Sequence, residues 1–129
     1  MNRTAEITRK TKETDISVKL DLDGGAHADI STGIGFLDHM LTALAIHGGF
    51  SLEVGAKGDL YVDGHHTAED VGIVLGMAFK EALGDKSGIM RFGSAFVPMD
   101  ESLAFCALDI SARPFLVFNA QFTNERVGE

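Results

Sequence analysis

The chain has 129 residues and a mass of 13.8 kDa, enough for one domain with a single buried core. Its 45% hydrophobic and 23% charged residues are ordinary for a globular protein and argue against disorder. The net charge of −8 argues against a general nucleic-acid binder, though a local basic pocket remains compatible with it. No apolar run reaches the roughly 18 residues of a membrane helix, and Met1–Glu6 lacks an apolar signal region. Cys106 has no internal disulfide partner and fits a reducing, cytoplasmic setting.

Residues 4–11 and 14–22 read as two strands. In the second, Ile16, Val18, Leu20 and Leu22 alternate with Ser17, Lys19, Asp21 and Asp23, the pattern of a half-buried strand. Gly24 and Gly25 make a turn, and residues 27–31 form a third strand. Residues 36–47 read as a helix, with Phe36, Leu37, Met40, Leu41 and Leu44 on one side and Gly48-Gly49 at its end. Residues 51–54 and 59–62 look extended. The longest helical pattern covers residues 65–83, with Val71, Val74, Leu75, Ala78 and Ala82 as its apolar face and Gly84 as its stop.

The segments 90–97, 102–110 and 114–122 are rich in Phe, Val, Leu and Ala and read as three more strands. No helical pattern follows them. A sheet needs a cover on its apolar face, so either the two helices serve all six strands or a covering segment is absent.

His39, His65 and His66 lie in helical segments, and Glu69 follows His66 by three residues. At about 100° per residue, His66 projects about 100° from His65, and Glu69 falls between them. The apolar face of the same helix centres on nearly the opposite side. Two imidazoles and a carboxylate thus share a polar face at a helix start, where a cation is not favoured by the helix dipole. The pattern admits a metal site or a solvated polar face. Adjacent histidines splayed this far suit two different metal ions better than one, with Glu69 within reach of either. Four ligands do not complete two coordination spheres, so others must come from elsewhere in the chain or from another subunit. His27, in a turn, and His47, at a helix C-terminus, have adequate structural explanations.

At these residues a resemblance becomes specific. The segments Gly33-Ile34-Gly35-Phe36-Leu37-Asp38-His39-Met40-Leu41, Asp63-Gly64-His65-His66-Thr67-Ala68-Glu69-Asp70, Gly84-Asp85-Lys86-Ser87-Gly88-Ile89 and Pro98-Met99-Asp100-Glu101 resemble imidazoleglycerol-phosphate dehydratases, enzymes of histidine biosynthesis. Asp109-Ile110-Ser111-Ala112-Arg113-Pro114 also fits, although the family more often has Gly where Ala112 stands. A double histidine alone is a weak signal; this ordered set spans the whole chain.

The resemblance implies an α+β fold: a two-layer sheet-and-helix sandwich of duplicated half-domains, of the ribosomal protein S5 domain 2-like kind. Residues 1–85 correspond to the first half-domain and 86–129 to the strands of the second. The family's second half carries another histidine, another His-His-x-x-Glu and phosphate-binding Lys and Ser residues, which this sequence lacks. The expectation is a truncated chain whose second half is incomplete.

By motif position, His39, His65, His66 and Glu69 resemble part of a two-Mn2+ ligand set. Glu13, in Arg9-Lys10-Thr11-Lys12-Glu13-Thr14, resembles an acid/base carboxylate, and Asp100 a second active-site acid. Arg91 and Arg113 resemble phosphate ligands, a role that guanidinium forks suit. Read without the resemblance, Glu13 is a strand-turn surface charge, Asp100 a turn residue after Pro98, Arg113 a bulge or edge arginine beside Pro114, and Arg91 an ordinary solvated charge. Imidazole-rich sites generally suit Zn, Fe or Ni, so Mn2+ rests on the resemblance.

The implied reaction dehydrates D-erythro-imidazole-glycerol phosphate to imidazole-acetol phosphate. The implied partners are this small-molecule substrate and further copies of the chain, since full-length relatives assemble trimers into 24-mers. No nucleic acid or membrane partner is expected. Two other readings are open. Asp21-Leu22-Asp23-Gly24 follows a strand as in aspartate-nucleophile phosphatases, but a hairpin explains it, and the Thr or Val expected after Gly24 is absent. A non-catalytic, metal-linked assembly module, or a fragment needing its missing half, fits the histidine pattern as well.

Overall fold

The computed structural model describes residues 3–124 and residue 126. These fall into two compact units, residues 3–85 with residue 126, and residues 86–124.

In the first unit, β1 (Thr4–Lys10) and β2 (Thr14–Asp21) form an antiparallel hairpin, and β3 (His27–Ser31) leads into α1 (Gly35–Gly48). β4 (Ser51–Gly58) and α2 (His65–Leu83) complete it. The strand order is β1-β2-β4-β3, with β4 antiparallel to β2 and parallel to β3. The parallel pair needs a crossover, which α1 supplies.

The period-two pattern of β2 turns Thr14, Ile16, Val18 and Leu20 inward. Leu52 and Val54 of β4 continue that face, and α2 closes over it with Thr67, Val71, Val74, Ala78 and Ala82. Leu41 and Ala45 are the buried positions of α1, and Gly49 ends that helix in the left-handed conformation at φ 73°. The opposite face of β2, Ser17 and Lys19 among it, is solvent-exposed. This is a two-layer α+β arrangement with one core, each large side chain contributing about 1.5–3 kcal/mol on burial.

Residues 59–62, expected to be extended, instead form a turn in which the Val62 amide donates to the Asp59 carbonyl at 2.8 Å. Asp is favoured at the first position of such turns. β4 accordingly runs on to Gly58 before the chain reverses.

The second unit is built on β5 (Phe92–Met99) and β6 (Ser102–Asp109), an antiparallel hairpin. Phe96 and Phe105 stand directly opposite and stack at 4.6 Å. Asp100 takes the first of two turn positions with φ 50°, a left-handed conformation that Asp tolerates better than most residues. The strand expected over 114–122 is not formed: that stretch joins no ladder among the described residues. Strand-like composition signals fit to a pleated surface and makes no strand without a paired neighbour. Ala112 has φ 65°, which explains physically why glycine is at home at that position.

Candidate metal and acid/base site

The loop between β1 and β2 is held by Thr11. Its hydroxyl accepts the amides of Glu13 at 3.1 Å and Thr14 at 3.0 Å, and its own amide donates to the Thr14 carbonyl at 2.8 Å. The loop is anchored to α2 through Asp70. That carboxylate accepts a short hydrogen bond from the Thr14 hydroxyl and pairs with Arg9 at 2.6 Å. At 13% side-chain exposure, Asp70 is well shielded, so it ties the hairpin to the second turn of the helix more firmly than a surface pair would.

A second anchor comes from the 59–62 turn. The Asp59 amide donates to the Glu13 carbonyl at 3.1 Å, and the Asp59 carboxylate accepts from His66 Nδ1 at 2.9 and 3.2 Å. The two anchors carry Glu13 to the start of α2. There Glu13, His66 and Glu69 line one cleft of about 300 Å³ together with Arg9, Thr11 and Asp70.

Gly64 offers no side chain to cap α2, so Asp63 takes over: its carboxylate accepts the His65 amide at 2.8 Å. His65 Nε2 lies 3.1 Å from Glu69 Oε2, one helical turn on. The two imidazole centroids are 5.8 Å apart, with ring planes at 64°. His65, His66 and Glu69 are all exposed, on the side of α2 away from its buried residues, as the helical projection predicts. The hydrogen bond and negative charge of Asp59 raise the His66 pKa above its ordinary value, and Glu13 and Asp63 act more weakly in the same direction.

His39 is exposed on α1 and does not line this cleft. Among the described residues no three His, Cys, Asp or Glu side chains converge as a metal cage. One turn of helix cannot aim adjacent histidines at a single point, so these candidate ligands close no single coordination sphere.

Arg91, Asp100 and Arg113 belong to the second unit. Arg91 is engaged there by Asp109, with Nε to Oδ1 at 2.6 Å and Nη2 to Oδ2 at 3.0 Å, and the guanidinium holds the Asp109 carboxyl below the usual carboxylate range. A phosphate on Arg91 would share or displace that fork. Asp100 has a sufficient conformational reason for its place in the hairpin turn. The Arg113 amide donates to the Ser111 hydroxyl at 3.4 Å.

Four residues of the cleft region carry no role in the sequence pattern: Arg9, Thr11, Asp59 and Asp70. The signal for Asp59 was local, an aspartate positioned to open a turn seven residues before His66. The pairing of Asp70 with Thr14, 56 residues away, has no local signal.

No helix among the described residues is long and apolar enough to cross a membrane. The family model for imidazoleglycerol-phosphate dehydratase matches residues 32–129. The chain is 61% identical over 128 residues to the imidazoleglycerol-phosphate dehydratase of Lachnoclostridium phytofermentans, covering 99% of this chain and 65% of the relative. It is 64% identical over 126 residues to that of Lacticaseibacillus casei, with 98% and 65% covered. A crystal structure of the Staphylococcus aureus enzyme superposes with a TM-score of 0.81 at 42% identity, covering 97% of this chain and 68% of that one. The chain thus spans about 65% of the length of these curated relatives. The enzymes of this family depend on metal. With motif order, fold and a family match over residues 32–129 in agreement, the chain belongs to the imidazoleglycerol-phosphate dehydratase family.

Proposed function

We propose that this chain supplies one metal-ligand set and the acid/base carboxylate of a dehydratase. The reaction converts D-erythro-imidazole-glycerol phosphate to imidazole-acetol phosphate and water, in histidine biosynthesis. The observation that carries the reading is the cleft in which Glu13 stands with His66 and Glu69. The donor chemistry fits a divalent ion in part: His65, His66 and Glu69 share one helix face, and a carboxylate lies behind His66.

Two Mn2+ ions would be held, one through His65 and one through His66, with Glu69 within reach of either and His39 contributing to one of the two sets. Further copies of the chain, as a homo-oligomer, would supply the missing ligands. When bound, the metal supplies Lewis acidity toward the imidazole ring of the substrate. Glu13 takes the proton from the second side-chain carbon, the one that keeps its hydroxyl. The C–O bond on the carbon attached to the ring breaks, and that oxygen leaves with a proton as water. The enol that remains tautomerises to the ketone. Asp59 and Thr11 fix the backbone of Glu13 during this transfer, which keeps the proton path short. Arg91 and Arg113 are the proposed phosphate ligands and Asp100 the proposed second acid, all three on the strength of motif position.

Calorimetric titration of the chain with an imidazole phosphate, with Mn2+ and after chelation, tests the reading. Binding is expected with metal and not without it. An assembly module without catalytic purpose would bind Mn2+ and ignore the imidazole phosphate, and that result would overturn the proposal.

A further inference from the structure

A neutral imidazole carries one hydrogen, and which nitrogen holds it decides which lone pair is free for a metal. A carboxylate only accepts, so the contacts from Asp59 to His66 Nδ1 at 2.9 and 3.2 Å place the hydrogen on Nδ1 and the free lone pair on Nε2. Neutral histidine in water prefers the opposite tautomer. Asp59 is also well fixed itself. Its side chain is 12% exposed against 44% for His66, its amide is held by the Glu13 carbonyl, and its carbonyl takes the Val62 amide.

We infer that Asp59 is a positioning residue that selects the Nδ1–H tautomer of His66 and so presents Nε2 as a metal donor. The inference rests on the metal-site reading above and adds a residue to it. Because the Asp59 backbone also holds Glu13, one turn sets both the ligand nitrogen and the acid/base carboxylate. A metal on Nε2 would complete a carboxylate–histidine–metal series, with Asp59 orienting the ring from behind.

The test uses the full chain labelled with 15N-histidine, metal-free, at a pH above the titration of His66. Long-range 1H–15N correlation should report Nδ1–H for His66 in the wild type. In Asp59→Ala the ring should revert to mainly Nε2–H, and Mn2+ affinity, measured by EPR, should fall about tenfold or more. Asp59→Asn keeps an acceptor oxygen and should restore both, which loss of the turn alone would not predict. An Nε2–H wild type would overturn the inference. So would an Asp59→Ala variant unchanged in both tautomer and affinity, while His66→Ala still loses metal; the metal-site reading would then survive. An affinity indifferent to His66→Ala would overturn the metal-site reading itself, and with it the role of Asp59 toward a metal, whatever the tautomer.

Discussion

His66→Ala is expected to lower the Mn2+ affinity of the chain by at least about tenfold, since losing a ligand costs no less than losing the group that orients one. His66 lines the cleft shared with Glu13 and Glu69, and Asp59 fixes its ring. His66 is exposed and outside the core, so its truncation should leave the fold intact. His47→Ala is the control: that residue sits in the last turn of α1, where a histidine is favourable without any metal. Bound metal measured by EPR or by elemental analysis after gel filtration distinguishes the two. Equal Mn2+ binding by wild type and His66→Ala would contradict the ligand assignment.

Gly58→Ala is expected to destabilise the first unit by about 2–3 kcal/mol, in the range seen when a packed core is forced to take an extra methyl. Gly58 ends β4 and pairs with Thr14. A Cβ at this position would overlap the Thr67 hydroxyl oxygen and come within 3.5 Å of Thr14 Cγ2. Thr67 is fully buried in the first turn of α2, and its short side chain cannot swing away as a flexible lysine would. Either the helix start lifts or the strand end bends. Both carry the site: His66 precedes Thr67, and Glu13 precedes Thr14. Mn2+ affinity should therefore fall along with the urea midpoint. Gly72→Ala is the matched control, since a Cβ there meets open space and alanine is the better helix former, by up to about 1 kcal/mol. A Gly58→Ala midpoint equal to wild type would show that β4 and α2 are not in the close contact described.

Much of the first unit was legible because its elements have clean periods. Ile16, Val18 and Leu20 alternate as a strand with one buried face, and Val71, Val74, Ala78 and Ala82 recur as a helix with one buried side. The same periodicity placed His65, His66 and Glu69 away from the core. Periodicity fails where composition and pairing disagree. Leu60, Tyr61 and Val62 look like strand residues, yet the backbone turns there through a hydrogen bond between Val62 and Asp59. Residues 114–122 have strand composition and no ladder among the described residues. The long-range part of the site was illegible for a different reason. Glu13 reaches α2 through Asp70 and Asp59, contacts between segments some tens of residues apart, which no local pattern encodes. The resemblance supplied Glu13 as a candidate; the hydrogen bonds supply its place.

In the proposed function, Glu13 and the α2 histidine cluster form the working part of a dehydratase. That role is tested most directly by a chimera in which this chain replaces the matching portion of the Lachnoclostridium phytofermentans relative, of which it covers 65%. With Mn2+, that chimera should convert imidazoleglycerol phosphate to the ketone product, and Glu13→Gln within it should lower kcat by about 10²-fold or more, the range for loss of a general acid/base group. A folded, metal-loaded chimera whose turnover is unchanged by Glu13→Gln would contradict the account.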